Sequence, residues 1–475
     1  MSEIAMAGKY TAGQPQKARL AAKIIWEGTL VLASPLQIGA GGSTAAHEKD
    51  ITVLKDRQGH PFIPGTSLAG VWREALMGYD EQLAQTLFGD IQSRSGAAAG
   101  QSLLAIDDVW LEGANIIMRD GVHIDSFTGS AVETGKYDYE LVDAGARGHF
   151  YVEMTLRQAQ LDGQGKIDSR LLEALAWLRR EQAEGLAFGA MTTKGFGRIK
   201  SERDAAGLYD FRQPAAVAAW LRTPDHTAAG AGIHLEMATA AETKNDFVVE
   251  AGFALEGSLI VRDYNVSREE NEANISAHMR QGQGGYIIPG PSVKGVLRHE
   301  AERILRRLGR TQTEVDAELA GLMGKSTDED GSAVKVKSRF YVQEGEVHGG
   351  AVLELPQTRN RIDRFTGGTM DTALFTTKPI WQKESGKESV VLRFRIKDAT
   401  QQEAGLALYM LRDVWQGRVA FGGERGIGRG VLQGLRATIR YQKKEWELDS
   451  SGRVQGDSLD QLNKYARAFI SKEAE

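Results

Sequence analysis

Apolar residues recur at two spacings along the chain. Between Ser169 and Glu184, Leu171, Leu172, Leu175 and Leu178 share one face at helical period, which predicts a strongly amphipathic helix. Ser67 to about Met77, Ser292 to Leu308 and Thr400 to Gln416 read as helices as well, the first two each followed by a second helical piece, ending near Gly89 and Gly324. Lys23 to Leu32, Ile51 to Lys55, Leu103 to Leu111 and Val334 to Val342 are β-branched or apolar runs bounded by turn residues, and read as strands. Gly113 to Glu153 is long for a connection, and a loop of that length reads as a functional segment or a projecting hairpin.

The elements come twice. Ile63-Pro64-Gly65-Thr66-Ser67 returns as Ile288-Pro289-Gly290-Pro291-Ser292, and Ile124-Asp125-Ser126-Phe127-Thr128-Gly129 as Ile362-Asp363-Arg364-Phe365-Thr366-Gly367. Phe188-Gly189 with Gly195-Phe196-Gly197-Arg198 matches Phe421-Gly422 with Gly426-Ile427-Gly428-Arg429, and Glu27 to Leu32 matches Glu256 to Val261. Preserved order and spacing mean that one unit has been duplicated and fused. Strand, helix, strand, long excursion, strand, helix and final strand is the order of a ferredoxin-like β-α-β-β-α-β unit. The fold class expected is therefore α+β, two tandem ferredoxin-like units. The boundaries expected are a mobile arm at 1–20, a first unit at 21–200, a linker with one short helix at 201–246, a second unit at 247–445 and a helical tail at 446–475.

Composition narrows the function. The 475 residues contain no Cys, which removes disulfides, thiolate metal sites and cysteine nucleophiles. No apolar stretch has signal-peptide or membrane-spanning character, so a cytoplasmic protein is expected, with no membrane partner. The net charge of −5 argues against a free-standing nucleic-acid binder, yet positive charge is segregated. Arg298, Arg303, Arg306, Arg307 and Arg310 crowd one helix, and Arg359, Arg361 and Arg364 one loop. Such a balance suits a subunit that binds RNA on one face and protein on the others. Each Pro-Gly turn followed by Thr66-Ser67 or Ser292 predicts a capped helix start whose free N–H groups suit a phosphate. The nine His show no metal spacing, and there is no phosphate loop and no Gly-Gly-Asp-Asp pair.

With these residues in hand, the chain resembles the RAMP superfamily, RNA-binding subunits of CRISPR systems, and within it the fused backbone subunits of type III effector filaments. The resemblance rests on Ile38-Gly39-Ala40-Gly41-Gly42, Asp50 ahead of the second strand, the Ile-Pro-Gly-x-Ser turn, the Ile-Asp-x-x-Thr-Gly segment and the late Gly-x-Gly-Arg loop. It implies that sheet and helix start hold the backbone of a guide RNA, that each unit carries a projecting β-hairpin insertion, at 113–150 and 343–385, which wedges between bases, and that an Asp after the first strand cuts paired target RNA. Guide RNA, target RNA and other effector subunits are the partners so implied. Specificity is then delegated to base pairing.

Asp50 is the catalytic residue expected on this resemblance and the ligand of a divalent ion, Mg2+ or Mn2+, with His47 and Glu48 near enough to assist. Counting back from Ile288, with one extra residue in the Arg280–Tyr286 turn, sets Asn274 opposite Asp50. An amide lacks the charge of a carboxylate, so the second unit is expected not to cleave unless Glu270 or Glu272 substitutes. Gly41, Gly42, Ser67, Arg73, Arg198, Ser292, Lys294, Arg298 and Arg429 are the RNA-binding residues expected. Asp125 and Asp363 are read as structural acceptors in the hairpins, and Phe127 and Phe365 as packing residues that are also able to stack on bases. The alternatives are a non-cleaving structural or capping subunit, and a guide-processing endoribonuclease of the same superfamily.

Overall fold

The computed structural model describes residues 18–39, 51–89, 101–125, 130–162, 164–222, 225–231, 233–235, 245–263, 275–281, 284–325, 336–371 and 373–471. The arm expected at 1–20 therefore falls almost entirely outside the described residues.

Each half builds the sheet that the element order predicts. In the first, Arg198–Asp210, Leu20–Leu32, Arg147–Arg157 and Leu104–Ile106 lie side by side, all antiparallel. In the second, Val431–Tyr441, Phe247–Glu256, Val390–Ile396 and Phe340–Val342 repeat that order. Last, first, third, second is the strand order of a ferredoxin-like unit.

Helices cover one face of each sheet because their apolar residues fall every three or four positions. Gly65–Met77 buries Leu68, Trp72 and Leu76, and Ser169–Glu184 buries Leu171, Ala174, Leu175 and Leu178. Trp72 packs with its ring centre 4.8 Å from that of Trp26 on the first strand, the rings tilted by 34°, and its indole N–H donates to Gln182 at 2.8 Å, which ties the two helices over the sheet. The second unit repeats this with Val293, Leu297, Ala301 and Leu305 on Gly290–Arg307 and Ala404, Ala407, Met410 and Val414 on Gln401–Trp415. Thr400 caps that last helix by accepting from the Glu403 amide at 3.2 Å, and Glu403 reaches back to the Thr400 amide.

Two expected boundaries move. The last strand of the first unit runs on to Asp210, paired with Ala22, so residues 201–210 of the expected linker belong to that sheet. The helix in the remainder, Pro214–Arg222, sets Trp220 against Tyr209, and Ile233–His234 adds an edge strand. Beyond residue 445, Lys444–Leu448 and Val454–Gly456 extend the second sheet before Leu459–Ser471 forms the expected helix. That helix is part of the core, with Tyr465 and Phe469 buried. Gly405 lets it approach, since a Cβ there would stand 2.3 Å from the Tyr465 carbonyl.

The structure also corrects the register of the repeat. Gly197 (φ +75°) and Gly430 (φ +81°) are equivalent, because each lies against the carbonyl of the Phe that opens its loop, Phe188 or Phe421. Gly195 thus matches Gly428, Phe196 matches Arg429, and Arg198 matches Val431. The sequence match was two residues out because Gly426, Gly428 and Gly430 offer two overlapping Gly-x-Gly pairs. The first strands shift too. Gly189 abuts the Gln37 carbonyl and Gly422 the Ile260 carbonyl, so Leu36, not Leu30, corresponds to Leu259.

Candidate nucleic-acid interface

The loop after the first strand, residues 40–50, lies outside the described residues, and with it Gly41, Gly42, His47, Glu48 and Asp50. Its two ends are well defined. Gly39 bridges Val53, the Leu54 amide donates to the Ile38 carbonyl at 2.8 Å, and Ile51 bridges Tyr139 of the hairpin strand Ala131–Val142. Glu140, buried beside Tyr139, accepts from the Val53 amide at 3.2 Å and from Lys55 Nζ at 3.3 Å. The residues on either side of the loop, Gly39 and Ile51, therefore lie near the base of the Ile116–Ile124 and Ala131–Val142 hairpin.

The second unit has the same geometry. Arg262 pairs with His278 where Gly39 meets Val53, and Ser276 and Ala277 pair in parallel with Thr377 and Lys378 of the second excursion. The turns Lys55–Pro61 and Arg280–Tyr286 are closed by the same bridge and are equal in length. No extra residue is needed there, and the count back from Ile288 sets Ile275, not Asn274, opposite Asp50. Asn274, Glu272 and Glu270 themselves lie outside the described residues.

Both helix starts differ from expectation. Pro64 and Pro289 are the N-caps, neither has a side-chain cap bond, and Ser67 and Ser292 sit inside the first turn. A carboxylate of the chain takes the first amide in each: Asp108 accepts from Gly65 at 2.8 Å, and Glu344 from Gly290. Positive charge at the helix start is thus met internally.

The basic candidates divide. Lys294 is buried, and its amine donates to Thr193 Oγ1, Ser338 Oγ and the Phe340 carbonyl at 2.8–2.9 Å. Burial, reinforced by Lys194 and Arg298, lowers its pKa to about 7. It is a strut between the units and does not reach solvent, which corrects its expected phosphate contact. Arg429 is also buried. It pairs with Glu424 at 2.8 Å, donates to Ser258 at 3.1 Å and to Gln357, and lies over the Trp381 ring. It therefore braces its loop from within. Arg298 is half-buried and donates to the Gly324 carbonyl at 3.1 Å. Arg73 is half-buried and has no ion-pair or hydrogen-bond partner among the described residues. Arg198 donates to the Glu184 carbonyl at 2.9 Å. Burial, then Arg395 and Arg393 of the second unit, hold its pKa below the usual value, so three guanidiniums gather there.

The hairpin tip of the second unit is where sequence reasoning missed most. Asp363 accepts from the Phe365 amide at 2.9 Å, the Thr366 amide at 2.8 Å and the Thr366 hydroxyl at 3.1 Å, which fixes the turn as the Asp-x-x-Thr spacing suggests. These bonds, the Thr366 amide first, lower the Asp363 pKa. On that turn Phe365 is 99% exposed, beside exposed Arg361, Ile362 and Arg364. Among the described residues it packs against nothing, contrary to the reading as a packing residue. Phe127, its counterpart, lies outside the described residues. Among the described residues no three His, Asp or Glu side chains are grouped to hold a metal ion, and no helix is long and apolar enough to cross a membrane.

A loop tied to the foot of a projecting hairpin, in each of two ferredoxin-like units, agrees with the sequence comparison. The RAMP superfamily model matches residues 29–200 and 221–433. The chain belongs to the RAMP superfamily. Its two RAMP units are fused in tandem, and proteins of this superfamily are generally CRISPR-associated and RNA-binding. No curated protein matches the chain.

Proposed function

We propose that this RAMP protein is a guide-RNA-binding backbone subunit of a type III CRISPR effector, and that its first unit cleaves guide-paired target RNA through Asp50. The observation that carries the reading is the tie between the 40–50 loop and the hairpin foot at Ile51–Tyr139. A hairpin that parts the bases and a loop beside it would bring an acid to the phosphate next to the parted base. Phe365 offers a π-face at such a tip, and Arg361 and Arg364 offer charge for phosphates.

Asp50 would orient the 2′-hydroxyl of the target directly, or hold Mg2+ or Mn2+ there. The 2′-oxygen attacks its own 3′-phosphate, the bond to the next 5′-oxygen breaks, and that oxygen leaves with a proton. A 2′,3′-cyclic phosphate and a 5′-hydroxyl result. The second unit, with Ile275 at the corresponding count, would hold guide RNA without cutting.

The test is cleavage of a complementary RNA by the assembled effector, mapped at nucleotide resolution. Asp50→Ala removes one cut and leaves guide and target binding intact. If every cut persists, the chain is a non-cleaving scaffold.

A further inference from the structure

The two units meet through dissimilar elements, and one of each kind remains unused. In the first unit, the loop Thr192 to Gly197 lies on the second. A Cβ on Gly290 would stand 1.7 Å from the Lys194 carbonyl, and one on Gly195 2.9 Å from the Glu344 amide. Lys294 reaches Thr193 at 2.9 Å, and Arg119 pairs with Glu344. The face that receives the loop is thus a helix that starts at a glycine after proline, with a carboxylate on its first amide.

The corresponding loop of the second unit, Arg425 to Gly430, has no such cover among the described residues. Gly426 and Gly428, counterparts of Thr193 and Gly195, have no heavy atom of the described residues within 4 Å of where a Cβ would stand. Ile427, at the position of Lys194, is 60% exposed. Arg425 is exposed, and Arg262, Arg359 and Arg429 all contact Glu424 behind it, an excess of positive charge at the loop.

The receiving face of the first unit is closed instead by its own chain. A Cβ on Gly65 would stand 2.2 Å from the Ile106 carbonyl, which holds the place that Lys194 takes on Gly290. One end of the chain is therefore finished and the other is open.

We propose that the loop Arg425 to Gly428 docks a different protein, built from a unit like the second one of this chain. That partner presents a helix starting at Pro-Gly, a carboxylate on the first amide, and no backbone of its own over the glycine. A second copy of this chain does not fit, because its Gly290 is covered by Lys194 and its Gly65 by Ile106. The contact is heterologous, and addition proceeds from the second unit only. The surface follows from the internal junction, whereas the existence of a partner rests on the subunit reading above.

The full-length chain alone is sedimented over a range of concentrations, and the chain co-expressed with the other subunits of its effector is weighed by native mass spectrometry. The isolated chain stays monomeric. The assembly contains a neighbour that Ile427→Asp removes, that Trp110→Asp retains, since exposed Trp110 pairs with Phe62 just ahead of the covered Pro64-Gly65 helix start, and that a photo-crosslinking residue at position 427 captures at a Pro-Gly helix start. Self-association abolished by Ile427→Asp, or a complete assembly with that variant, overturns the inference. A wild-type chain that joins no assembly overturns the subunit reading with it.

Discussion

Arg119 of the first unit and Glu344 of the second form an ion pair across the junction, with only 2% and 10% of their side chains exposed. Burial raises the Glu344 pKa, which Arg119 opposes. The same carboxylate holds the Gly290 amide, so one side chain joins a hairpin strand of one unit to a helix start of the other.

Removing one partner of such a pair leaves a charge buried and unmatched, at a cost of about 3–5 kcal/mol, whereas replacing both with apolar residues is often neutral. Arg119→Ala should therefore lower stability to urea far more than the double change Arg119→Met with Glu344→Leu. Equal losses in the two would show that the pair is not the source of the coupling.

Lys294 predicts a pH dependence. Its pKa of about 7 in the folded chain lies below the ordinary 10.5. Between those values the unfolded chain holds a proton that the folded chain has released, so stability rises with pH across the window. Below about pH 7 the burial penalty is present in full. Lys294→Met should flatten the rise, read as the difference between urea midpoints of wild type and variant from pH 7 to 10. Parallel curves would refute it.

Much of this architecture was legible along the chain, because it follows from local pattern. Leu171, Leu172, Leu175 and Leu178 specify their helix without reference to any partner, and the element order specifies the sheet. Lys294 shows the limit. A lysine one turn from Arg298 looks like a phosphate ligand until Thr193, over a hundred residues earlier, is seen to accept from its amine. Arg429 misled for another reason, since three alternate glycines make the register of its loop ambiguous by two residues. Asp363 was legible because its partners are within three residues, while the exposure of Phe365 depends on how far its tip stands from the other described residues, which no local pattern records.

Phe365 separates binding from stability. At 99% exposure its truncation removes almost no packing, so Phe365→Ala should change stability by less than about 0.5 kcal/mol. Stacking on a base contributes about 1–3 kcal/mol, which predicts that the same variant binds RNA roughly 5- to 150-fold more weakly. Titration of guide RNA with the full-length chain measures the second effect and a urea melt the first. Unchanged RNA affinity would exclude Phe365 from the interface.

Glu140 connects the fold to the proposed cleavage. Its carboxylate holds Val53 and Lys55, just past the end of the Asp50 loop, against the hairpin strand at 3.2 and 3.3 Å. Displacement of a reacting group by about 1 Å is enough to slow a positioned reaction about 100-fold. Glu140→Ala should therefore reduce target cutting by the first unit by about that factor. Glu140→Gln, which keeps an acceptor for the Val53 amide, should recover part of the rate. Guide binding, which does not depend on the position of Asp50, should change little in either variant. The split between cutting and binding is the readout that a merely structural role would not produce: a destabilised first unit would lose both together, and Glu140→Gln would then give no selective rescue of the rate.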